Sequence, residues 1–164
     1  MTTGQRQAGT ATLTTPGDRE IHVERVFDAP RDTVWALMND PQLIPEWWGP
    51  RRMTTTVDRY DFRPGGSWRF VHVDGDGQEH AFRGDFREIE APERIVRTFE
   101  WEGMPGHVSV ETATFEDLGE QTRLTVVSVF DDRADRDGMV AAGMERGLQE
   151  TYRRFDELLA RRAG

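Results

Sequence analysis

A chain of 164 residues is long enough for a single domain that buries roughly 70% of its unfolded surface. The formal charge is -9, from 30 acidic against 21 basic side chains, and no run of arginines is longer than a pair; such a surface repels phosphate backbones and excludes a nucleic-acid partner. Every basic side chain is Arg and Cys is absent, which removes lysine Schiff-base chemistry, thiolate nucleophiles, disulfides and Cys-based metal sites.

Met1 to Gly17 is rich in Thr, Gly and Gln, with almost nothing to bury, and is expected to be a flexible N-terminal tail before a single domain over residues 18–164. No apolar run approaches the roughly 18 residues of a membrane span, and the first residues lack a signal-peptide stretch, so a cytoplasmic location is expected. From Asp18 the pattern changes. Ile21, Val23, Arg25 and Phe27 alternate along a strand that ends at Ala29-Pro30. Pro30 then starts a helix whose buried stripe is Val34, Trp35, Leu37 and Met38, and a second short helix runs through "PQLIPEWW" to Gly49-Pro50.

The next eighty or so residues read as six antiparallel strands, "RMTTTVDRY", "GSWRFVHV", "QEHAFRGDFREIE", "RIVRTFEW", "HVSVETATFED" and "TRLTVVSVF", with Gly- and Pro-containing turns between them. With the first strand they make seven, and the absence of crossover helices argues for a meander. Gly138 to Ala160 carries Val140, Met144, Leu148, Tyr152, Phe155, Leu158 and Leu159 at steps of three and four, the stripe of one long amphipathic helix that must lie on the concave sheet face.

Taking the aromatic row of each strand as inward aligns Phe70 with Phe82, Trp68 with Gly84 and His72 with His80. A plain two-residue turn in the "DGDG" run would send these rings to opposite faces, so an odd-length loop or a bulge is predicted there. The inward rows also carry polar residues: Arg25, His72, His80, Arg97, Thr112, Thr114 and Ser128. Arg25 and Arg97 each require a carboxylate, solvent or an anionic ligand group. His72 and His80 supply only half a zinc shell with no carboxylate fixed beside them, so no metal is expected. Gly138, Gly143 and Gly147 in the covering helix imply either very close packing on the sheet or open space beneath it, each Gly costing about 1 kcal/mol relative to Ala.

"VERVFDAPRDTVWALMNDPQLIPEWWGP", "PGGSWRF", "GDFREIEAPERIVRTFEW" and "GMERGLQETYRRFDELLA" together resemble the bacterial homologues of the activator of heat-shock protein 90 ATPase, within the START-like or SRPBCC superfamily, from about Glu20 to Ala160. That resemblance implies an α+β helix-grip fold: a seven-stranded curved antiparallel sheet around a long C-terminal helix, two short helices between strands one and two, and an enclosed apolar cavity. It also implies binding of a small hydrophobic or amphipathic molecule, with no cofactor. The expected lining is Trp47, Trp48, Trp68, Phe70, Phe82, Phe86, Arg97, Phe99, Trp101, Met139, Met144 and Tyr152, with Arg25, His72 and His80 as polar candidates. Of the adjacent Trp47 and Trp48, one ring is expected to fill the core and the other to face the cavity mouth. A cyclase- or hydrolase-type enzyme in the same cavity, in which His72, His80 or Arg97 acts on a carbonyl, is the alternative, as is a chaperone-regulating interaction protein. A monomer or a homodimer fits either.

Overall fold

The computed structural model describes residues 9–163. In chain order the elements are β1 (Thr12–Thr14), β2 (Glu20–Phe27), α1 (Arg31–Met38), α2 (Ile44–Trp47), β3 (Thr54–Tyr60), β4 (Ser67–Val73), β5 (Glu79–Glu90), β6 (Arg94–Trp101), β7 (Val108–Asp117), β8 (Thr122–Val129), α3 (Arg133–Ala141) and α4 (Met144–Ala163). The strands form one antiparallel sheet in the order β1-β2-β8-β7-β6-β5-β4-β3. The helices cover its concave face, giving the helix-grip architecture. Among the described residues, no helix is long and apolar enough to cross a membrane.

The sheet has eight strands where seven are expected, because part of the expected tail pairs with β2, Thr12 opposite Glu24 and Thr14 opposite His22. Polar bonds to the backbone hold this segment. The Gln149 amide accepts from the Ala11 N–H and donates to the Ala11 carbonyl, at 2.9 and 2.8 Å. Arg136, buried on α3, donates to the carbonyls of Thr15, Gly17 and Glu20. Such bonds can order a chain that offers little apolar surface. Residues 1–8 of the expected tail lie outside the described residues.

The β4–β5 hairpin pairs Phe70 with Phe82, Trp68 with Gly84 and His72 with His80, and the loop over residues 74–78 is odd in length. The crossing at Gly84 explains its residue type. A Cβ there would lie 1.9 Å from the Thr98 carbonyl oxygen and 2.6 Å from Trp68 Nε1, so only hydrogen leaves room for the indole to donate to that carbonyl at 3.2 Å.

Two expectations about phase and continuity fail. In β7 the inward row is Ser109, Glu111, Ala113 and Phe115, not the row of Thr112 and Thr114. The alternating β-branched residues of β7 resemble a core row, but Arg97 stands opposite Glu111 and Phe99 opposite Ser109, and a one-residue shift of phase exchanges every side chain. The single C-terminal helix is two. α3 starts earlier than expected, on Asp132, whose side chain accepts from the Asp135 N–H at 2.8 Å, and it stops at Ala142. Gly143 follows at φ +90°, the left-handed conformation that glycine adopts where helices end. The three-and-four spacing of apolar residues crosses this break because both helices turn the same side toward the sheet.

α4 is packed unevenly along its length. Phe155 and Leu158 are fully buried, and the Phe155 ring meets Phe27 at 5.1 Å and Trp47 at 5.2 Å. Arg25 of β2 is buried and joins Asp156 at 3.1 and 2.5 Å. Met144 and Leu148 at the other end are only half-buried, and a Cβ on Gly138, Gly143 or Gly147 would touch nothing within 4 Å. Gly138 and Gly143 are exposed and none of the three glycines lines the cavity, so they mark neither close packing on the sheet nor the space beneath the helix.

Candidate functional site

A cavity of about 270 Å³ lies between the sheet and the loosely packed end of the helices. Its size is near the lower end of the roughly 300–1,000 Å³ typical of small-molecule sites. Nine of the expected lining residues face it: Trp47, Trp48, Phe70, Phe86, Arg97, Phe99, Met139, Met144 and Tyr152. His72, a polar candidate, faces it as well.

Five do not. Arg25 is occupied by Asp156 and the Val26 carbonyl, at the solid end of the fold. His80 sits at the hairpin tip, 3.2 Å from Asp74. Trp68 is buried under the wall, with its indole bonded to Thr98 and Arg97 stacked over it at 4.4 Å. Phe82 forms an aromatic layer with Trp48, His72 and Phe99 at 5.5, 5.2 and 5.6 Å. Trp101, at the end of β6, is 38% exposed and off the cavity wall.

The paired tryptophans are separated by a change of backbone. Trp47 closes α2 in helical conformation, whereas Trp48 caps it in an extended one, with φ -78° and ψ 124°. Trp47 therefore packs toward α4, edge-on to Phe155, and Trp48 lies on Phe70 and His72 at 4.8 and 4.7 Å. Both contribute to the wall, from different sides. α4 holds this loop from above, Thr151 accepting from the Gly49 N–H at 3.1 Å and Arg154 donating to the carbonyls of Gly49 and Pro45. Gly49 is at φ +90°, and a Cβ there would lie 2.6 Å from the edge of the His72 ring.

Three of the cavity's polar groups sit side by side. Register places Arg97, Glu111 and Ser128 directly opposite one another across β6, β7 and β8, where facing Cβ atoms lie about 5 Å apart. Arg97 Nε donates to Glu111 at 2.9 Å. Tyr60 donates to Asn39 Oδ1 at 2.9 Å; burial pushes its pKa up to about 12, with the Arg97 charge opposing. Burial, reinforced by Glu111, also raises Tyr152, and Arg25 and Arg97 oppose it. Both phenols are therefore neutral at physiological pH. His72 is pulled down to about 4, first by burial and then by the charges of His80 and Arg154, and its Nε2 has no hydrogen-bond partner among the described residues. At neutral pH the site thus carries one guanidinium, one carboxylate and neutral donors.

Glu111, Ser109, Tyr60 and Asn39 line this site without having been expected. The sequence reading required a partner for Arg97 without identifying it, and with Thr112 and Thr114 taken as the inward row of β7, Glu111 fell on the outward one. Tyr60 and Asn39, at the ends of β3 and α1, leave no periodic signal.

The model of the family described as "Activator of Hsp90 ATPase homolog 1-like protein" matches residues 28–160. None of the curated proteins matches the sequence significantly. Among solved structures, the chain is similar to a protein of Arthrobacter aurescens, with 27% identity, TM-score 0.83 and coverage of 92% of this chain and 91% of that one. A Rhodobacter sphaeroides protein shares 23% identity over 92% and 98% of the two chains, with TM-score 0.85. The AHSA1 protein of Silicibacter pomeroyi shares 25% over 86% and 97%, with TM-score 0.71.

Proposed function

Since the chain belongs to the Activator of Hsp90 ATPase homolog 1-like family, whose fold typically binds hydrophobic ligands, we propose that it binds a small hydrophobic or amphipathic molecule in the cavity beneath the α3–α4 junction. The observation that carries this reading is the stand-off of the helices from the sheet at that end. Met139, Met144 and Leu148 of the helices face the sheet across the cavity, and the surrounding wall is mostly apolar, with Arg97, Glu111 and Ser128 adjacent on one row. Apolar walls supply affinity and a few placed polar groups supply orientation. The volume suits a ligand of one to three rings rather than a long diacyl lipid. Trp48, half-buried on the wall, would touch it.

The test is a tryptophan-fluorescence titration with aromatic ketones, fatty acids and an organic extract of the expressing cells. A saturable change is expected with at least one ligand in the wild type, diminished in Trp48→Phe. Silence across the set in wild type, Trp47→Phe and Trp48→Phe alike would contradict the reading. An enzyme of cyclase or hydrolase type would act on a carbonyl held beside Arg97, and product formation during the same titrations would favour it. Regulation of a chaperone would instead show as stoichiometric capture of a partner by ligand-free protein.

A further inference from the structure

The polar row defines more than the presence of a ligand. Arg97 uses only Nε on Glu111, so both Nη groups are without an acceptor among the described residues. Tyr152 is 94% buried, on a relative exposure of 6%, lines the cavity, and its hydroxyl has no hydrogen-bond partner among the described residues. Ser128 is 3% exposed and occupies the next position on the row, beside Glu111. Buried polar groups such as Tyr152 and Ser128 are normally satisfied, and both line the cavity together with the half-buried Arg97, where a ligand oxygen can meet them.

The charge balance then selects the group that satisfies them. Glu111 already neutralises Arg97, and His72 and both tyrosines are neutral, so no spare cation remains on the wall. A carboxylate entering this row would lose its hydration and stand beside Glu111 without a counter-charge of its own. An uncharged carbonyl or hydroxyl oxygen meets neither cost. It can accept from Arg97 Nη and the Tyr152 hydroxyl, and a ligand hydroxyl can in addition donate to Glu111. Trp48, Phe70, Phe86 and Phe99 around it favour flat rings through edge and face contacts.

Resting on the binding reading above, we propose that the ligand is an uncharged aromatic ketone, lactone or phenol whose oxygen seats on the Arg97–Glu111–Ser128 row beneath Tyr152, and that the cavity discriminates against carboxylates.

The experiment compares naphthalene, acetylnaphthalene and naphthoate, the last two substituted at the same ring position, by calorimetry at pH 7. The ketone is expected to bind at least about tenfold more tightly than the carboxylate, the ratio that 1.4 kcal/mol corresponds to. In Glu111→Gln, where Arg97 loses its counter-charge, naphthoate should gain by a similar factor and the preference should narrow or invert. If naphthoate binds the wild type as well as the ketone does, or gains nothing in a folded Glu111→Gln, the polar-end assignment is overturned while ligand binding stands. If that variant does not fold, the wild-type ratio decides alone. If none of the three binds, the polar-end assignment is overturned, and the wider fluorescence titration decides separately whether the cavity binds any ligand.

Discussion

The two ends of α4 differ more than their sequences suggest. From Tyr152 to Leu159 the helix is packed like a core element, with Phe155 and Leu158 enclosed and Arg25 tied to Asp156. From Met144 to Leu148 the same apolar spacing continues, yet Met144 and Leu148 are half-buried and a Cβ on Gly147 would meet nothing within 4 Å. The two inward arginines repeat the contrast. Arg25 is held by a carboxylate and a backbone carbonyl at the solid end, whereas Arg97 keeps one carboxylate and faces the hollow. One helix thus supplies stability with one half and a cavity wall with the other, which a fold can do only if the solid half is sufficient to hold it.

That division of labour breaks most visibly at Phe155. Phe155→Ala should cost about 3–5 kcal/mol, as for other fully enclosed rings, whereas Leu148→Ala, at the cavity edge, should cost less than half as much; equal losses in urea unfolding would erase the contrast. The hollow end carries the next effect through His72. Its pKa falls from 6.5 to about 4 on folding, so between those values the unfolded chain takes up a proton that the folded chain refuses. Stability should therefore fall as pH drops from 6.5 toward 4, by up to about 2 kcal/mol at pH 5. His72→Phe should lose that part of the pH dependence, and an unchanged pH profile in the variant would mean that His72 is not held neutral. The smallest effect is a gain. Gly147→Ala places a methyl where nothing stands within 4 Å and should stabilise the protein by up to about 1 kcal/mol, seen as a raised unfolding midpoint; a loss would mean that the helix lies closer to the sheet than described.

What could be read from the sequence follows from how each feature is held. The β4–β5 register was legible because Trp68, Phe70, His72, Phe82 and Phe86 share one face, and only one alignment places them there together with Gly84. The partner of α4 was legible because a stripe of apolar residues has to be covered. β1 was not, since it is fixed by Gln149 and Arg136 on backbone groups and those bonds leave no hydrophobic pattern. Glu111 was lost to the phase of β7, where threonines and valines on the outer face imitate a core row. Trp101 shows the converse error, a large ring taken as inward that stands at a strand end, partly in solvent. Gly143 looked like one more helical glycine and is the place where the helix stops.

The central claim, that a ligand occupies the space beneath the α3–α4 junction, is tested most directly by methionine-methyl NMR. Met38, Met139 and Met144 line the cavity, whereas Met53 and Met104 do not, Met104 being 48% exposed. Titration with acetylnaphthalene should move the methyl resonances of the first three in a saturable way through ring-current shifts and leave Met53 and Met104 in place. Shifts at Met104 as large as those at Met139 and Met144, or no shift at any of the five, would contradict it.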